Sequence, residues 1–303
     1  MVTSDPNQFE AVDRCLLVRA PAKLNISLLI AGKREDGFHE IETVMAKINY
    51  FDEILIEPGP PNSGIALECR GPHWAPPGPD NLVYQAATLI LAGQEEKRNL
   101  RLTLTKNIPA GTGLGSASSD AAATLMGLNR HFHLGHTTDN LSSMAAQLGS
   151  DVAFFLHGPL SVCRGRGEDI ERIDKAFPFS ALVILPGINI STKRVYTHYV
   201  HDQALFERSR LQINARIKEN RIDLIAKMCT NMLSETCFRL ERGLAELKDK
   251  IESLGIGPVC LSGSGSALYC IVERSDLPQL TKVTESLAQN VACSIMMVHN
   301  IGW

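Results

Sequence analysis

No apolar run in this chain approaches the ~20 residues needed to cross a bilayer. The opening stretch, Met1-Val2-Thr3-Ser4-Asp5-Pro6-Asn7-Gln8-Phe9-Glu10, has neither the basic n-region nor the apolar h-region of a secretory leader. Membrane residence and export are therefore not expected, and a cytoplasmic location is. A strong charge of either sign is missing as well: a formal net charge of −3 offers no electrostatic footprint for nucleic acid, so an anionic ligand has to be held by local groups. The eight cysteines, Cys15, Cys69, Cys163, Cys229, Cys237, Cys260, Cys270 and Cys293, form no Cys-x-x-Cys pair and lie near no histidine cluster at metal-ligand spacing. Reduced, mostly buried thiols are expected in place of disulfides or a zinc site. The remaining composition, 44% hydrophobic and 21% charged, is that of a soluble globule, and 303 residues exceed the usual size of one core, which favours two domains.

The informative stretch is Pro109-Ala110-Gly111-Thr112-Gly113-Leu114-Gly115-Ser116-Ala117-Ser118-Ser119-Asp120. These small residues follow an alternating apolar segment, 100–105, and lead into a helix-forming run, 121–128. Gly111, Gly113 and Gly115 can adopt positive φ and leave no side chain between main-chain N–H groups and an approaching anion. Ser116, Ser118 and Ser119 add hydroxyl donors, and a helix beginning here aims its unpaired N–H groups and positive dipole end at the same place. Such a segment can hold a phosphate. It is not a Walker A loop, because no Gly-Lys-Ser/Thr follows the glycines, nor the dinucleotide fingerprint, whose spacing fails at Ser116.

Around this loop, residues 16–20 and 25–30 read as strands interrupted by Pro21-Ala22-Lys23, Gly37 as a turn, and 41–48, 52–57 and 65–69 as further strands. The Pro/Gly-rich stretch 58–79 reads as loops and turns. From Asn81 the spacing turns helical, with Leu82, Ala86, Leu89 and Ile90 on one side and Asp80 as N-cap. Helices are expected at 118–132 and 138–148, a buried strand at 182–185, and mainly helix through 193–254. A second Gly/Ser loop leads into a strand within 260–272, followed by a helix near 277–289 and a strand near 294–298. A β-rich first part that carries the phosphate loop and an α+β second domain follow from this order, with the change between 165 and 180.

Four segments then line up: Arg19-Ala20-Pro21-Ala22-Lys23-Leu24-Asn25 with Gly37-Phe38-His39-Glu40-Ile41-Glu42-Thr43-Val44, the glycine loop, Leu148-Gly149-Ser150-Asp151-Val152-Ala153-Phe154-Phe155, and Leu261-Ser262-Gly263-Ser264-Gly265. Over residues 16–300 the chain resembles the GHMP small-molecule kinases. The order and distance of Pro-Ala-Lys-Leu-Asn, Asp-Gly-Phe-His and Gly-Ser-Asp-Val narrow the resemblance to the branch that phosphorylates the 2-hydroxyl of 4-diphosphocytidyl-2-C-methyl-D-erythritol, in the non-mevalonate route to isoprenoid precursors. The resemblance implies an α+β, two-domain GHMP kinase fold. Its N-terminal ATP-binding domain, residues 1–170, would be like domain 2 of ribosomal protein S5. Its C-terminal domain, residues 171–303, would be ferredoxin-like, with the active site in the cleft between the two. It also implies ATP and Mg2+ as cofactors, this one small-molecule substrate, no nucleic acid or membrane partner, and a monomer or weak homodimer.

Residue by residue, Asp151 would accept the hydroxyl proton of the substrate while Lys23 keeps it ionised and touches the transferring phosphoryl group. Alone, Asp151 reads as a helix cap and Lys23 as a surface lysine; their joint presence carries the assignment. Asn25, two residues beyond Lys23 on the same side of a strand, would hydrogen-bond the substrate or orient the lysine. His39 would read the cytosine edge, since imidazole donates from one nitrogen and accepts at the other. Phe38 stands where the family has Tyr and keeps the stacking surface without the hydroxyl, and Tyr196 falls at the position of the second ring. Gly263, Ser264 and Gly265 would close over the substrate by main-chain donation, with Ser266 where relatives carry Ala. ATP would take the residues from Pro109 to Asp120 together with Asn81 and Lys106, which align near adenine and ribose; Asp120 would meet nucleotide directly or through water. Thr112, Ser116 and Ala117 replace glycines of some relatives. Ser118 or Ser119 could ligate the metal, with no ground to choose between them. The rivals are another GHMP kinase, acting on homoserine, mevalonate or a sugar, and a non-catalytic nucleotide-binding regulator on the same fold.

Overall fold

The computed structural model describes residues 6–94, 98–174, 177–273, 276–290 and 293–303. A short strand, β1 (Phe9–Val12), leads into two long ones, β2 (Cys15–Lys33) and β3 (His39–Pro58), which pair antiparallel from Leu16 opposite Ile56 to Lys33 opposite His39. The strands expected at 16–20 and 25–30 are therefore one strand, and so are those at 41–48 and 52–57. Pro21 does not break the ladder, because the register shifts between Pro21 and Ala22 and leaves Asn49 and Tyr50 bulged out on the facing strand. A bulge is a place where a residue without an N–H is tolerated.

The same bulge separates two environments. Up to Ala20, β2 alternates between buried and half-buried residues; from there to Ile30 every residue is buried, as a strand covered on both faces must be. Leu16 and Val18 join a core with Ile54, Ile56, Leu102 and Leu125, whereas Leu24 to Ile30 belong to a larger core shared with the second half of the chain. The first sheet is completed by β4 (Ile65–Arg70), β5 (Leu100–Thr105), β6 (Leu160–Gly165) and β7 (Asp169–Arg172) in the order β1-β2-β3-β5-β4, with β6 on β3 and β7 on β6. Four helices accompany it: α1 (Leu82–Leu91), α2 (Ser116–His131), α3 (Thr138–Leu148) and α4 (Val152–Leu156). The cap of α1 is Asn81, whose Oδ1 accepts from the Val83 N–H at 2.9 Å, and not Asp80, which ends a 3-10 turn. The buried stripe shifts with it to Val83, Ala86, Ala87 and Ile90, leaving Leu82 and Leu89 half-buried.

The second sheet consists of β8 (Ser180–Leu185), β9 (Cys260–Leu261), β10 (Leu268–Val272) and β11 (Ser294–His299), antiparallel in the order β11-β8-β10-β9. With it come α5 (Thr192–His198), α6 (Gln203–Lys218), α7 (Ile222–Met228), α8 (Ser234–Leu240), α9 (Arg242–Ser253) and α10 (Leu277–Asn290). The change of sheet falls between Arg172 and Ser180, a stretch in which 175 and 176 lie outside the described residues. The two halves share β2: Leu28 donates to the Thr230 carbonyl at 2.8 Å and accepts from Met232 N–H at 2.9 Å. Among the described residues no helix is long and apolar enough to cross a membrane. The expectation of thiols throughout is corrected at one pair, because the end of α7 lies against β9 and joins Cys229 to Cys260, with Cα atoms 5.2 Å apart. A separation of 31 residues leaves no spacing motif for such a bond.

Lys23 and Lys47 face each other in the β2–β3 register, and both are buried. Lys47 Nζ donates to the carbonyls of Phe155 at 3.1 Å and His157 at 2.8 Å, and burial pushes its ammonium down to about 7. Between that value and the ordinary ~10.4 the unfolded chain binds this proton and the folded chain does not. Stability from this site therefore rises with pH across the window, and the burial cost is fully present below it. In equilibrium unfolding, Lys47→Met should lose ground to wild type as the pH rises from about 7 to about 10, by at most about 1.4 kcal/mol per pH unit. A difference independent of pH would refute the depressed value.

Candidate active site

The loop between β5 and α2 uses its glycines where L-residues are disfavoured: Gly111, Gly113 and Gly115 have φ of 72°, 79° and 74°. Thr112, Ser116 and Ala117 stay out of the positive-φ region, so their side chains cost the turn no strain there. Gly115 is the N-cap of α2, and no side chain caps this end. The first internal bond is Ser119 N–H to the Gly115 carbonyl, so the first-turn N–H groups remain available to an anion. α2 begins at Ser116, two residues earlier than its spacing suggested, which brings the serines into its first turn.

A second loop, between β9 and β10, locks against the first. Ser262 Oγ donates to the Gly113 carbonyl at 2.9 Å, and Ala267 N–H donates to the Thr112 carbonyl at 3.0 Å. A Cβ on Gly113 would stand 2.1 Å from the Ser262 carbonyl oxygen. Gly263 and Gly265 take φ of 59° and 93°, and Asn231 Nδ2 donates to the carbonyls of Leu261 and Gly263. Ser264 Oγ lies 2.8 Å from Thr192 Oγ1 at the start of α5. Asn231 and Thr192 carry no motif, and sequence reasoning missed both.

Lys23 reaches the same place from β2. Its N–H donates to the Leu114 carbonyl at 2.9 Å, its stem runs under Gly115, and its Nζ donates to Asn25 Oδ1 and lies 3.8 Å from Asp151 Oδ2. The alternation of β2 explains the pairing with Asn25, whose Nδ2 in turn donates to Thr43 Oγ1 on β3 at 2.9 Å. Burial lowers the Lys23 ammonium from its ordinary value, while Asp151 works against that shift. Asp151 heads α4 but makes no capping bond with its side chain, so its carboxylate is turned to the lysine. Gly167 admits this arrangement: a Cβ there would be 3.2 Å from the Ser150 carbonyl oxygen.

Lys23, Asn25, Asp151, Gly113, Gly115, Gly263 and Ser264 line a cavity of about 660 Å³ between the two halves of the chain. Phe38, His39 and Tyr196 line it too. The His39 and Tyr196 rings lie 5.0 Å apart, and burial followed by the charge of Lys33 lowers the imidazole's pKa, which favours the neutral ring with one donor and one acceptor. Phe38 is half exposed, with the Arg166 guanidinium 4.6 Å from its ring centre. Arg166 is a site residue that the sequence hid, since Arg164-Gly165-Arg166-Gly167-Glu168 reads only as a turn.

Three residues expected near the nucleotide, Asn81, Lys106 and Asp120, have partners for their side chains within the chain. Asn81 spends its amide on capping α1 and on the Pro76 carbonyl, 2.8 Å away. Lys106 is buried and donates to Asp52, Asp120 and Ser116. Asp52 in addition accepts from the N–H groups of Asn107 and Ile108, at 2.6 and 2.8 Å, and so ties β3 to the base of the phosphate loop. Burial, and next the carboxylate of Asp52, raise the Asp120 carboxyl well above its ordinary range, against the pull of Lys106. These groups brace the loop from beneath, a role that Asp52's place in an alternating strand did not betray.

Comparison with known proteins agrees with this geometry. The GHMP kinases N terminal domain matches residues 81–159 and the GHMP kinases C terminal domain matches 213–290. The 4-diphosphocytidyl-2-C-methyl-D-erythritol kinase of Geobacillus sp. (strain WCH70) is 35% identical over 258 residues, 85% of this chain and 88% of its own. That of Bacillus mycoides (strain KBAB4) is 36% identical over 260 residues, 85% and 88% of the two chains. A crystal structure of 4-(cytidine 5'-diphospho)-2C-methyl-D-erythritol kinase superposes with a TM-score of 0.71 at 30% identity, covering 94% of this chain and all of the other. Homoserine kinase from Cytophaga hutchinsonii superposes with a TM-score of 0.77 at 18% identity over 98% and 99% of the chains, a likeness of fold.

The interlocked loops generate a comparison of two alanine substitutions at similar φ. Gly135, at φ 74°, has open space where a Cβ would stand, so Gly135→Ala should cost only the left-handed strain of about 1–2 kcal/mol. Gly113→Ala adds a collision with backbone and should cost clearly more, read as the difference in unfolding midpoint and m-value. Equal losses would mean that the two loops are not locked.

Proposed function

The chain belongs to the 4-diphosphocytidyl-2-C-methyl-D-erythritol kinases, a branch of the GHMP kinases, and from that premise we propose the reaction its own residues perform. The γ-phosphoryl group of ATP passes directly to the 2-hydroxyl of 4-diphosphocytidyl-2-C-methyl-D-erythritol. The bond from γ-phosphorus to its bridging oxygen breaks, a bond to the acceptor oxygen forms, the hydroxyl proton goes to Asp151, and ADP leaves. The observation that carries this reading is the Lys23–Asp151 pair, 3.8 Å apart, beside two loops of open main-chain donors.

Phosphoryl transfer asks for positioning and charge cancellation more than for covalent help. Lys23, desolvated under Gly115, supplies a positive charge that solvent screens little, and Asn25 with Thr43 fixes its direction. The first-turn N–H groups of α2 receive the phosphates of ATP. Asn81, Lys106 and Asp120 support that site through the backbone they hold. Phe38 offers a face for cytosine, His39 its hydrogen bonds, and Tyr196 a second wall.

Among the described residues no three His, Cys, Asp or Glu side chains gather as a metal site. That fits Mg2+, which is held largely by nucleotide phosphates and water. Ser119 Oγ is buried at the head of α2 without a hydrogen-bond partner and is a hard oxygen donor, which favours it over Ser118 as the protein ligand. The ion's contribution would be to neutralise charge on the β- and γ-phosphates.

A coupled assay of ADP release with the cytidyl substrate tests acceptor and reaction together, with homoserine, mevalonate and galactose as comparison acceptors. Turnover preferring any of these would overturn the substrate. Asp151→Ala should lower kcat by about 10²–10⁴-fold, the usual worth of a positioned proton acceptor, while ATP still raises the melting temperature. Wild-type turnover in that variant would remove Asp151 from its role.

A further inference from the structure

Lys47 has no part in the chemistry above, yet it grips the segment on which Asp151 depends. Its Nζ donates to the carbonyls of Phe155 and His157, and its own N–H donates to the Pro159 carbonyl at 2.8 Å, so three alternate carbonyls leaving α4 end on one residue. Ile301 N–H closes on the Lys47 carbonyl at 3.2 Å, which fixes β3 at this point. α4 is five residues long, or about 7 Å at ~1.5 Å per residue, too short to hold its own direction by internal hydrogen bonds alone. Lys23 approaches the Asp151 end of this helix, and Lys47, its partner across the β2–β3 ladder, approaches the other.

We propose that Lys47 is a positioning residue: it clamps the C-terminal end of α4 so that the carboxylate at the N-terminal end meets the acceptor hydroxyl beside Lys23. The clamp and the active pair hang from one rung of one strand pair, so a shift of that rung moves both ends of α4 together. Without the Lys47 ammonium the buried carbonyl of Phe155 and the half-buried one of His157, at and just beyond the end of α4, lose this donor, and the helix end settles elsewhere to find another. A carboxylate displaced by about 1 Å is enough to cost about 10²-fold in rate, whereas the loops that bind ATP and the aromatic end of the cavity are untouched.

The inference rests on the function proposed above, and its test separates the two. Lys47→Met keeps the length of the side chain and removes its donors; Lys47→Gln keeps one donor. Steady-state ADP release should show kcat reduced by about 10²-fold in Lys47→Met and by less in Lys47→Gln, with KM for ATP and for the cytidyl substrate within about twofold of wild type. Hydrogen exchange, which needs no substrate, should show faster exchange in Lys47→Met confined to residues 151–160. Wild-type protein without turnover on the cytidyl substrate would overturn the proposed function, and the exchange data would still decide whether Lys47 holds α4. Unchanged kcat in both variants, or unchanged exchange across 151–160 in folded Lys47→Met, would overturn the clamp.

Discussion

The pairing of β2 with β3 is the constraint on which the other features depend. Two strands of 19 and 20 residues share one ladder that passes through both cores. Lys23 and Asn25 hang from one strand, His39, Thr43, Lys47 and Asp52 from the other. Because a strand's side chains alternate, Lys23 and Asn25 share one face of β2, and the shift at Pro21 and Ala22, which leaves two residues unpaired on β3, comes immediately before Lys23. A polar row of Lys23, Asn25 and Ser27 is buried beside an apolar row of Ala22, Leu24 and Ile26, each polar side chain finding a partner, Ser27 Oγ by accepting from the Val44 N–H at 3.3 Å.

The glycine loops depend on this ribbon from two sides. Asp52 on β3 receives Lys106 and two main-chain N–H groups at the root of the first loop, and the Asn25 N–H on β2 donates to Ser262 Oγ of the second at 3.3 Å. The loops then fasten to each other at Gly113 and Ser262. A phosphate site made of main-chain donors has no rigidity of its own; here it borrows that of a fully buried strand pair. The charges beneath it, Asp52, Lys106 and Asp120, are buried together, which is tolerable only because each carboxylate shares the one ammonium and because Asp120 is pushed toward its neutral form.

Much of this could be seen in the primary structure where local chemistry is decisive. Gly111, Gly113 and Gly115 marked positive-φ positions, and all three are. The alternation at 100–105 and the helical spacing at 138–148 gave elements that end where expected. Where neighbours in space decide, the reading faltered. Pro21 looked like a break because its missing N–H is a local fact, while the bulge that absorbs it is made by Asn49 and Tyr50 on the other strand. Position places Asn81, Lys106 and Asp120 near the nucleotide, but nothing local announces the partners their side chains find within the chain, the Pro76 carbonyl for Asn81, Asp52 for Lys106 and Lys106 for Asp120. Cys229 and Cys260 meet because α7 ends beside β9, which no spacing encodes.

By itself the sequence determined the local inventory: which turns need glycine, which stretches are strand or helix, and that an ammonium and a carboxylate stand in motifs shared with small-molecule kinases. Conformational freedom, periodicity and residue chemistry are properties of short segments, so short segments suffice to read them. Tertiary structure alone decided that Lys23 and Asp151 come within 3.8 Å, that Arg166 covers Phe38, and that Lys47 reaches the far end of the helix that Asp151 heads. Each of those depends on the register of one long strand pair and on what packs against it, and register is set by the sum of many distant contacts.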